Sequence, residues 1–153
     1  MDEIIGISPF VKDSDGDYCF KVKVPGMNYV LSAEIDLHAL IVSLASEECD
    51  EPVLTCGCGI AECAGFWKEH CKRLADVIHW SIREQRTDFE LFFDREIYER
   101  GAIEMLADLV DRKAGWNILG CPPHNSFEEF EKHVNWLLEQ ELYLKELWER
   151  TRG

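Results

Sequence analysis

The fold of this 153-residue chain is decided first by residues 13–26, which read Asp13-Ser14-Asp15-Gly16-Asp17-Tyr18-Cys19-Phe20-Lys21-Val22-Lys23-Val24-Pro25-Gly26. From residue 18 to residue 24 apolar side chains alternate with Cys19, Lys21 and Lys23, which is the two-residue period of a strand with one buried face. The Asp-Gly before it supplies the positive backbone angles of a hairpin turn, so residues 4–11 are predicted to form the preceding strand. The sequence therefore predicts that the chain opens with a β-hairpin.

The pattern extends this hairpin into a meander. Pro25-Gly26 fits a type II turn, since proline fixes the first central angle and glycine tolerates the second. A third strand is predicted over residues 29–35, and two more over residues 66–83, with the same period continuing to Phe93. The charged segment 47–52 ends in a proline and is predicted to be a loop.

Three helices are predicted from the change of period to about 3.6 residues. Asp36 caps the first, Asp94 begins the second, and Ser126 with Glu129 forms a capping box for a long final helix predicted to run to Arg150. No internal repeat or flexible linker interrupts the chain. We predict one α+β domain over residues 1–153, with a meander-like antiparallel sheet of about six strands and about three packed helices.

Composition limits the function. The chain has 30 acidic against 16 basic side chains, a formal charge of -14, so direct nucleic-acid binding is not expected and a basic protein partner fits better. No uncharged run approaches the roughly 20 residues of a membrane span, and the first residues are acidic where a secretory signal would be basic, so we expect neither membrane insertion nor export. Seven cysteines cannot all pair, which favours a reducing compartment and a cytoplasmic protein.

The most unusual local feature is the Cys/Gly-rich stretch 54–66. Thiolates from Cys56, Cys58 and Cys63, with Cys71 or His70 as the fourth ligand, would make a tetrahedral zinc site. The single residue between the first two cysteines does not match the usual spacing of two to four. The alternatives are a tight glycine bend with cysteines packed as small hydrophobes, a Cys58 to Cys63 disulfide, and a reactive cysteine.

Other catalytic patterns are absent from the sequence. No histidine pair has the spacing of a helical zinc protease, and the glycines do not precede the Lys-Ser/Thr of a phosphate loop. An EF-hand loop that began at Asp13 would need glycine at position 18 and a bidentate carboxylate at position 24, where this chain has Tyr18 and Val24. We therefore expect a protein that is not an enzyme and needs no cofactor, with zinc at the cysteine stretch as the alternative.

Acidic clusters are the best candidates for a binding surface. We predict partner binding at Glu47, Glu48, Asp50 and Glu51, because this cluster follows a helix and precedes the Cys/Gly stretch. The acidic C-terminal helix is the alternative surface. Trp136 lies off the apolar stripe of that helix and is a candidate partner anchor.

Residues 53–100 resemble a group of small uncharacterised bacterial proteins that share a Leu-Thr-Cys-x-Cys-Gly-x-x-x-Cys-x-Gly core followed by a strand tryptophan and an aromatic segment. The matching positions here are Leu54, Thr55, Cys56, Cys58, Gly59, Cys63, Gly65, Trp80, Phe92, Phe93, Asp94 and Tyr98. Glu62 departs from the small residue expected there. The resemblance implies a bacterial cytoplasmic protein and transfers no catalytic residue, substrate or cofactor.

In size, charge and class the chain is also similar to the immunity proteins that neutralise toxins, such as those of contact-dependent growth inhibition systems. Many of these toxins are basic nucleases, which an acidic protein can block by placing carboxylates where phosphates would bind. Our leading hypothesis is a non-enzymatic immunity protein that occludes the active site of a basic, nuclease-like toxin domain. The alternative is a small zinc- or thiol-dependent protein centred on Cys56, Cys58 and Cys63.

Overall fold

A computed structural model describes residues 3–50, 53–55, 68–84, 87–116 and 126–152. Over these ranges the chain has an α+β fold of nine strands and four helices, which confirms the predicted fold class. The strands are β1 Ile4–Ile5, β2 Phe10–Lys12, β3 Tyr18–Lys23, β4 Val30–Ile35, β5 Glu48–Cys49, β6 Leu54–Thr55, β7 Lys68–Arg73, β8 Val77–Glu84 and β9 Thr87–Asp94. The helices are α1 Leu37–Leu44, α2 Arg95–Arg112, α3 Phe127–Gln140 and α4 Leu142–Arg152.

The strands form two sheets, so the prediction of a single six-stranded sheet is wrong. One sheet has the order β1-β9-β8-β7-β5 and the other the order β2-β3-β4-β6. Residues 4–11 do not form one strand, because β1 joins the first sheet and β2 the second. Proline has no backbone N–H, so Pro9 cannot continue the hydrogen-bond ladder of β1. Its carbonyl accepts from Lys21 N of β3 at 2.8 Å, and the chain has therefore joined the second sheet by this point. Among the described pairs only β1 with β9 is parallel.

The predicted turns are confirmed. Asp13 Oδ1 accepts from the amides of Asp15 and Asp17, and Gly16 has a φ of 88°, which closes the hairpin between β2 and β3. Met27 N donates to Val24 O at 3.2 Å across a type II turn in which Gly26 has a φ of 77°. The acidic segment 13–17 is therefore a hairpin turn, as its spacing indicated.

The hydrophobic core lies between the inner faces of the two sheets and helix α2. Phe20 of β3 meets Trp80 of β8 and Phe93 of β9 edge to face, with ring centroids 6.2 and 5.9 Å apart. Tyr98 of α2 packs on Phe93 and accepts a hydrogen bond from Trp80 Nε1 at 3.2 Å. These aromatic contacts fix how the two sheets face each other.

The predicted helix starts are confirmed, whereas the predicted end of the last helix is wrong. Asp36, Asp94 and Ser126 each accept from the amide three residues later, at 3.0, 3.0 and 3.2 Å. The last helix does not continue to Arg150, because Glu141 is extended and separates α3 from α4. Arg73 Nη1 and Nη2 both lie 3.0 Å from Glu141 Oε1. This ion pair links Glu141 to strand β7, 68 residues earlier in the sequence, and stabilises the extended residue between the two helices.

Segment 47–52 is not wholly a loop. Glu48 and Cys49 form β5, which pairs with β7 and makes an edge of the five-stranded sheet. In the described parts of the chain no helix is long and apolar enough to cross a membrane.

Candidate functional site

Strand β7 is charged on both of its faces. Glu69, Cys71 and Arg73 point inward, where their side chains are buried or nearly so. His70 and Lys72 point outward, and their side chains are 31% and 45% exposed. Buried charges need partners, and Glu69 Oε1 accepts from Leu54 N at 2.9 Å. The strand therefore links the core to an exposed, charged sheet face.

The described residues of the predicted binding cluster, Glu47, Glu48 and Asp50, lie in and beside the edge strand β5. The pairing of Glu48 with Lys72 places its carboxylate beside β7, where His70 Nε2 lies 2.6 Å from Glu48 Oε1. His70 Nδ1 contacts Asp50 Oδ1 on its other side. Lys72 Nζ lies 3.9 Å from Glu48 Oε1. His70 thus lies between two of the predicted residues.

This contact changes the electrostatics of the predicted cluster. The hydrogen bond to Asp50, and then that to Glu48, raise the pKa of His70 against the opposing effect of its burial. Both ring nitrogens can donate only in the imidazolium form, so the two carboxylates favour the protonated ring. Glu47 is exposed and its carbonyl accepts from Arg73 N at 2.8 Å, while Glu51 lies outside the described residues.

A cleft of about 710 Å³ opens beside His70. We call it the sheet-face cleft. Its lining comprises Val24, Pro25, Met27, Asp50, Glu69, His70, Ser81, Ile82, Arg83, Asp88, Phe89 and Glu90. Four of these residues are acidic and one is an arginine. The side chains of Asp50, Asp88 and Glu90 are 83%, 66% and 54% exposed, so three carboxylates are accessible at this cleft.

Cross-strand contacts position the rest of the sheet face. Glu90 Oε1 accepts from Ser81 Oγ at 3.1 Å and lies 3.0 Å from His79 Nε2. The His79 ring stacks on Phe92, with centroids 4.3 Å apart. Because β7, β8 and β9 are antiparallel neighbours, side chains from three separate strands converge here.

Asp50, His70 and Ser81 provide the residue types of a catalytic triad, but their contacts are not those of one. His70 and Ser81 are directly opposite each other in the β7 and β8 ladder. Ser81 Oγ donates to Glu90, while Glu48 occupies the His70 nitrogen that would have to receive the serine proton. A nucleophile must contact its base, so this arrangement suits binding better than acyl transfer.

Of the predicted zinc ligands, the structure describes Cys71 and its alternative, His70. The Cys71 thiol is buried, and burial, followed by the charge of the neighbouring Cys49, raises its pKa to about 12. Cys56, Cys58 and Cys63 lie outside the described residues, and no cluster of three metal-ligating side chains occurs within them.

A second cleft, of about 540 Å³, lies at the other end of strand β7. We call it the α2 cleft, and its lining residues are Ala75, Asp76, Asp94, Arg95, Glu96, Glu99 and Tyr143. Glu99 is completely buried, and sequence reasoning missed it. Glu99 precedes Ala102, Ile103 and Leu106 by three, four and seven residues, so it lies on the apolar face of α2, and this spacing would have predicted its burial.

The alternative surface predicted on the C-terminal helix is exposed. Glu139 of α3 and Glu146 and Glu149 of α4 are accessible to solvent. Trp136 is 40% exposed and packs on His133, with ring centroids 5.4 Å apart. The structure therefore places this acidic helical surface apart from the sheet-face cleft, on helices rather than strands.

Comparison with known proteins gives no relative. No family model, no curated protein and no solved structure matches this chain.

Proposed function

We propose that this protein is a non-enzymatic binding protein of the bacterial cytoplasm that captures a basic protein. In its most concrete form it is an immunity protein that occludes the active site of a basic, nuclease-like toxin domain. The observation that carries the proposal is the sheet-face cleft, where Asp50, Asp88 and Glu90 present exposed carboxylates around a concave surface.

The charge of the whole chain supports the same partner class. A net charge of -14 gives a field that attracts a basic protein and raises its association rate at low salt. The cleft then offers a defined contact, because a nuclease site that holds phosphate oxygens with lysine and arginine can hold carboxylates in the same way. Catalytic residues of the partner need not be touched, since filling its basic cleft is enough to exclude nucleic acid.

Neighbouring side chains hold the carboxylates around the cleft in defined orientations. Glu90 is held by Ser81 and His79, and Asp88 lies 3.4 Å from Arg83 Nε. A carboxylate that is already oriented loses less side-chain entropy when a partner binds. These pairs, like that of Asp50 with His70, reduce the local negative charge, and Asp50 matters most to the proposal only because its side chain is the most exposed of the three.

Protection of growing cells tests the function directly. Where a large exported protein is encoded immediately upstream, this chain is co-expressed with the C-terminal domain of that protein, and colony counts are compared with those of cells that express that domain alone. Purified proteins are then mixed and their dissociation constant is measured at about 50 and 200 mM salt, a range over which contacts between charges weaken strongly.

The variant Asp50→Lys with Glu90→Lys is expected to weaken the complex at least tenfold and to make its affinity less dependent on salt. Glu104→Lys, an exposed reversal on α2, is the control for the general charge of the protein. If Glu104→Lys weakened the complex as much per reversed charge as the double variant does, then only the net charge of the protein would matter. A toxic upstream domain that neither binds nor is neutralised would refute the immunity function.

The alternative function, a zinc or thiol protein centred on Cys56, Cys58 and Cys63, remains a separate proposal. The described residues give it no support at Cys71, which is buried and belongs to no group of three metal-ligating side chains among them. His70 does not support it either, since both of its ring nitrogens contact carboxylates.

A further inference from the structure

We propose that Cys49 and Cys71 form a redox switch, in which a low-molecular-weight disulfide oxidises the two thiols to a cross-strand disulfide that fixes the edge strand β5 on β7. The switch does not depend on the proposed function, since it involves two thiols of this chain and no protein partner. Cys49 lies between Glu48 and Asp50 in the sequence, so the new bond holds in place the two carboxylates that contact His70.

The two cysteines lie opposite each other in the ladder between β5 and β7. They are register partners, and both are present as thiols. Arg73 N donates to Glu47 O at 2.8 Å, which makes these two residues a hydrogen-bonded pair. Such pairs alternate along an antiparallel ladder, so Cys49 and Cys71, two residues farther on, form the next one. The Cα atoms of a hydrogen-bonded pair are about 5.5 Å apart, within the range of about 4.4–6.8 Å that a disulfide spans.

Both cysteine side chains lie on the inner face of the sheet. Directly opposite residues of an antiparallel pair share a face, and Cys71 is 4% exposed on the side that faces the core. Cys49 is half-buried, whereas its neighbour Glu48 is exposed on the other face. The charge of the Cys49 thiolate contributes to the raised pKa of Cys71, as expected for neighbouring sulfur atoms. The reduced protein therefore already holds the two thiols side by side.

Exposure gives the two thiols different parts in the exchange. Cys49 is partly accessible on an edge strand, so its thiolate attacks one sulfur of the small disulfide and releases one small thiolate. Cys71 is buried and its pKa of about 12 keeps it protonated at neutral pH, so it reacts second. It gives up its proton, and its sulfur attacks Cys49 Sγ and releases the second small thiolate. Two protein thiols are oxidised, one small disulfide is reduced, and the two protons pass to the released thiolates.

The disulfide changes the stability of one edge of the five-stranded sheet. Strand β5 has only two residues, and a short edge strand of this kind opens locally at low cost in free energy. The bond covalently closes residues 49–71, which restricts the chain when β5 detaches and so disfavours the opening. In a reducing compartment such a bond is transient, which is the behaviour of a switch and not of a permanent brace.

The test is peptide mapping of the full chain after oxidation with glutathione disulfide. Digestion with trypsin and with a protease that cleaves before aspartate leaves Cys49 as the single cysteine of peptide 36–49 and Cys71 as that of peptide 69–72. The cysteines of the Cys/Gly-rich stretch stay together in peptide 50–68. We expect the main cross-link to join peptides 36–49 and 69–72, and dithiothreitol to reverse it. A main cross-link from either peptide to peptide 50–68 would overturn the proposal, and so would two thiols that stay reduced.

Cys49→Ser and its control, Cys19→Ser, test the parts that the two thiols take. Both cysteines are half-buried in strands. Cys49→Ser should slow the oxidation of Cys71 at least about tenfold, because a buried, protonated thiol does not attack the small disulfide. Cys19→Ser should form the cross-link as readily as the native chain does. If Cys71 is oxidised as fast in Cys49→Ser as in the native chain, the proposed exchange is wrong.

Amide hydrogen exchange tests whether the bond fixes β5. Exchange of the residue 49 amide should be at least about tenfold slower in the oxidised native chain than in the reduced one, because the disulfide disfavours both local and global opening. Oxidised Cys19→Ser should show the same slowing. A cross-linked protein in which this amide exchanges as fast as in the reduced protein would show that the disulfide does not act as a switch on β5.

Discussion

Replacing Arg73 with methionine should destabilise the protein by about 3 kcal/mol. The Arg73 side chain is 8% exposed and donates to two acceptors, the Glu141 carboxylate at 3.0 Å and the carbonyl of Leu44 at the end of α1. Losing a hydrogen bond to a charged group costs about 1.5–3 kcal/mol. Arg73 Nε is buried without a partner among the described residues, so removing this donor offsets the loss in unfolding free energy by about 1–2 kcal/mol.

Urea unfolding followed by circular dichroism measures this change, and thermal unfolding should show a decrease in Tm of about 6–12 °C. Arg73→Lys keeps the charge but not the planar fork, so it should recover only part of the loss. A double-mutant cycle with Glu141→Gln should give a coupling of about 1 kcal/mol or more, because the two side chains are in contact.

The control is Arg100→Met on α2. Arg100 is 48% exposed and pairs with Glu96 at 2.7 Å, and pairs of this kind contribute about 0.3–0.5 kcal/mol. If Arg73→Met costs no more than Arg100→Met, then the buried contact does not hold the α3/α4 junction, and our explanation of the helix break is incorrect.

Three further predictions follow from single features. Tyr98→Phe should cost about 1–3 kcal/mol in urea unfolding, since it leaves the buried Trp80 Nε1 without an acceptor, and an unchanged midpoint would contradict the hydrogen bond. Folding raises the pKa of His70, so the stability that its ion pairs contribute should be complete below pH 6.5 and lost as the pH rises through the folded pKa. Urea unfolding measured across this pH range should show the trend, and His70→Gln should abolish it. If the 56–63 cysteines bind zinc, protein purified without chelator should contain one equivalent that is lost on Cys-to-Ser substitution, and metal-free folded protein would eliminate the zinc alternative.

Much of the local structure was predictable from residues close together in the chain. The hairpin turn at 13–17 is closed by the Asp13 side chain itself, and the cap at Asp36 is a contact with an amide three residues later. Such contacts need no other part of the chain, so the residue types at fixed spacing are sufficient to identify them.

The candidate site was only partly predictable. The exposure of Glu47, Glu48 and Asp50 was expected, but the two-residue strand β5 was not, because its sequence is acidic and lacks a strand period. The contact of Glu48 with His70 joins residues 22 apart and exists only because β5 pairs with β7. The α2 cleft also depends on long-range packing, which brings Tyr143 to the start of α2.

By itself the sequence determined the α+β class, the turns and the starts of the helices, because each depends on backbone angles and hydrogen bonds between near neighbours. Only the tertiary structure decided that the strands divide into two sheets, that Glu141 breaks the last helix, and that His70 lies between Glu48 and Asp50 of the predicted acidic cluster. These features arise from strand register and from contacts between residues far apart in the sequence, such as Arg73 with Glu141. The free energy of such a contact depends on how deeply folding buries both partners, which residues near each of them in the chain do not determine.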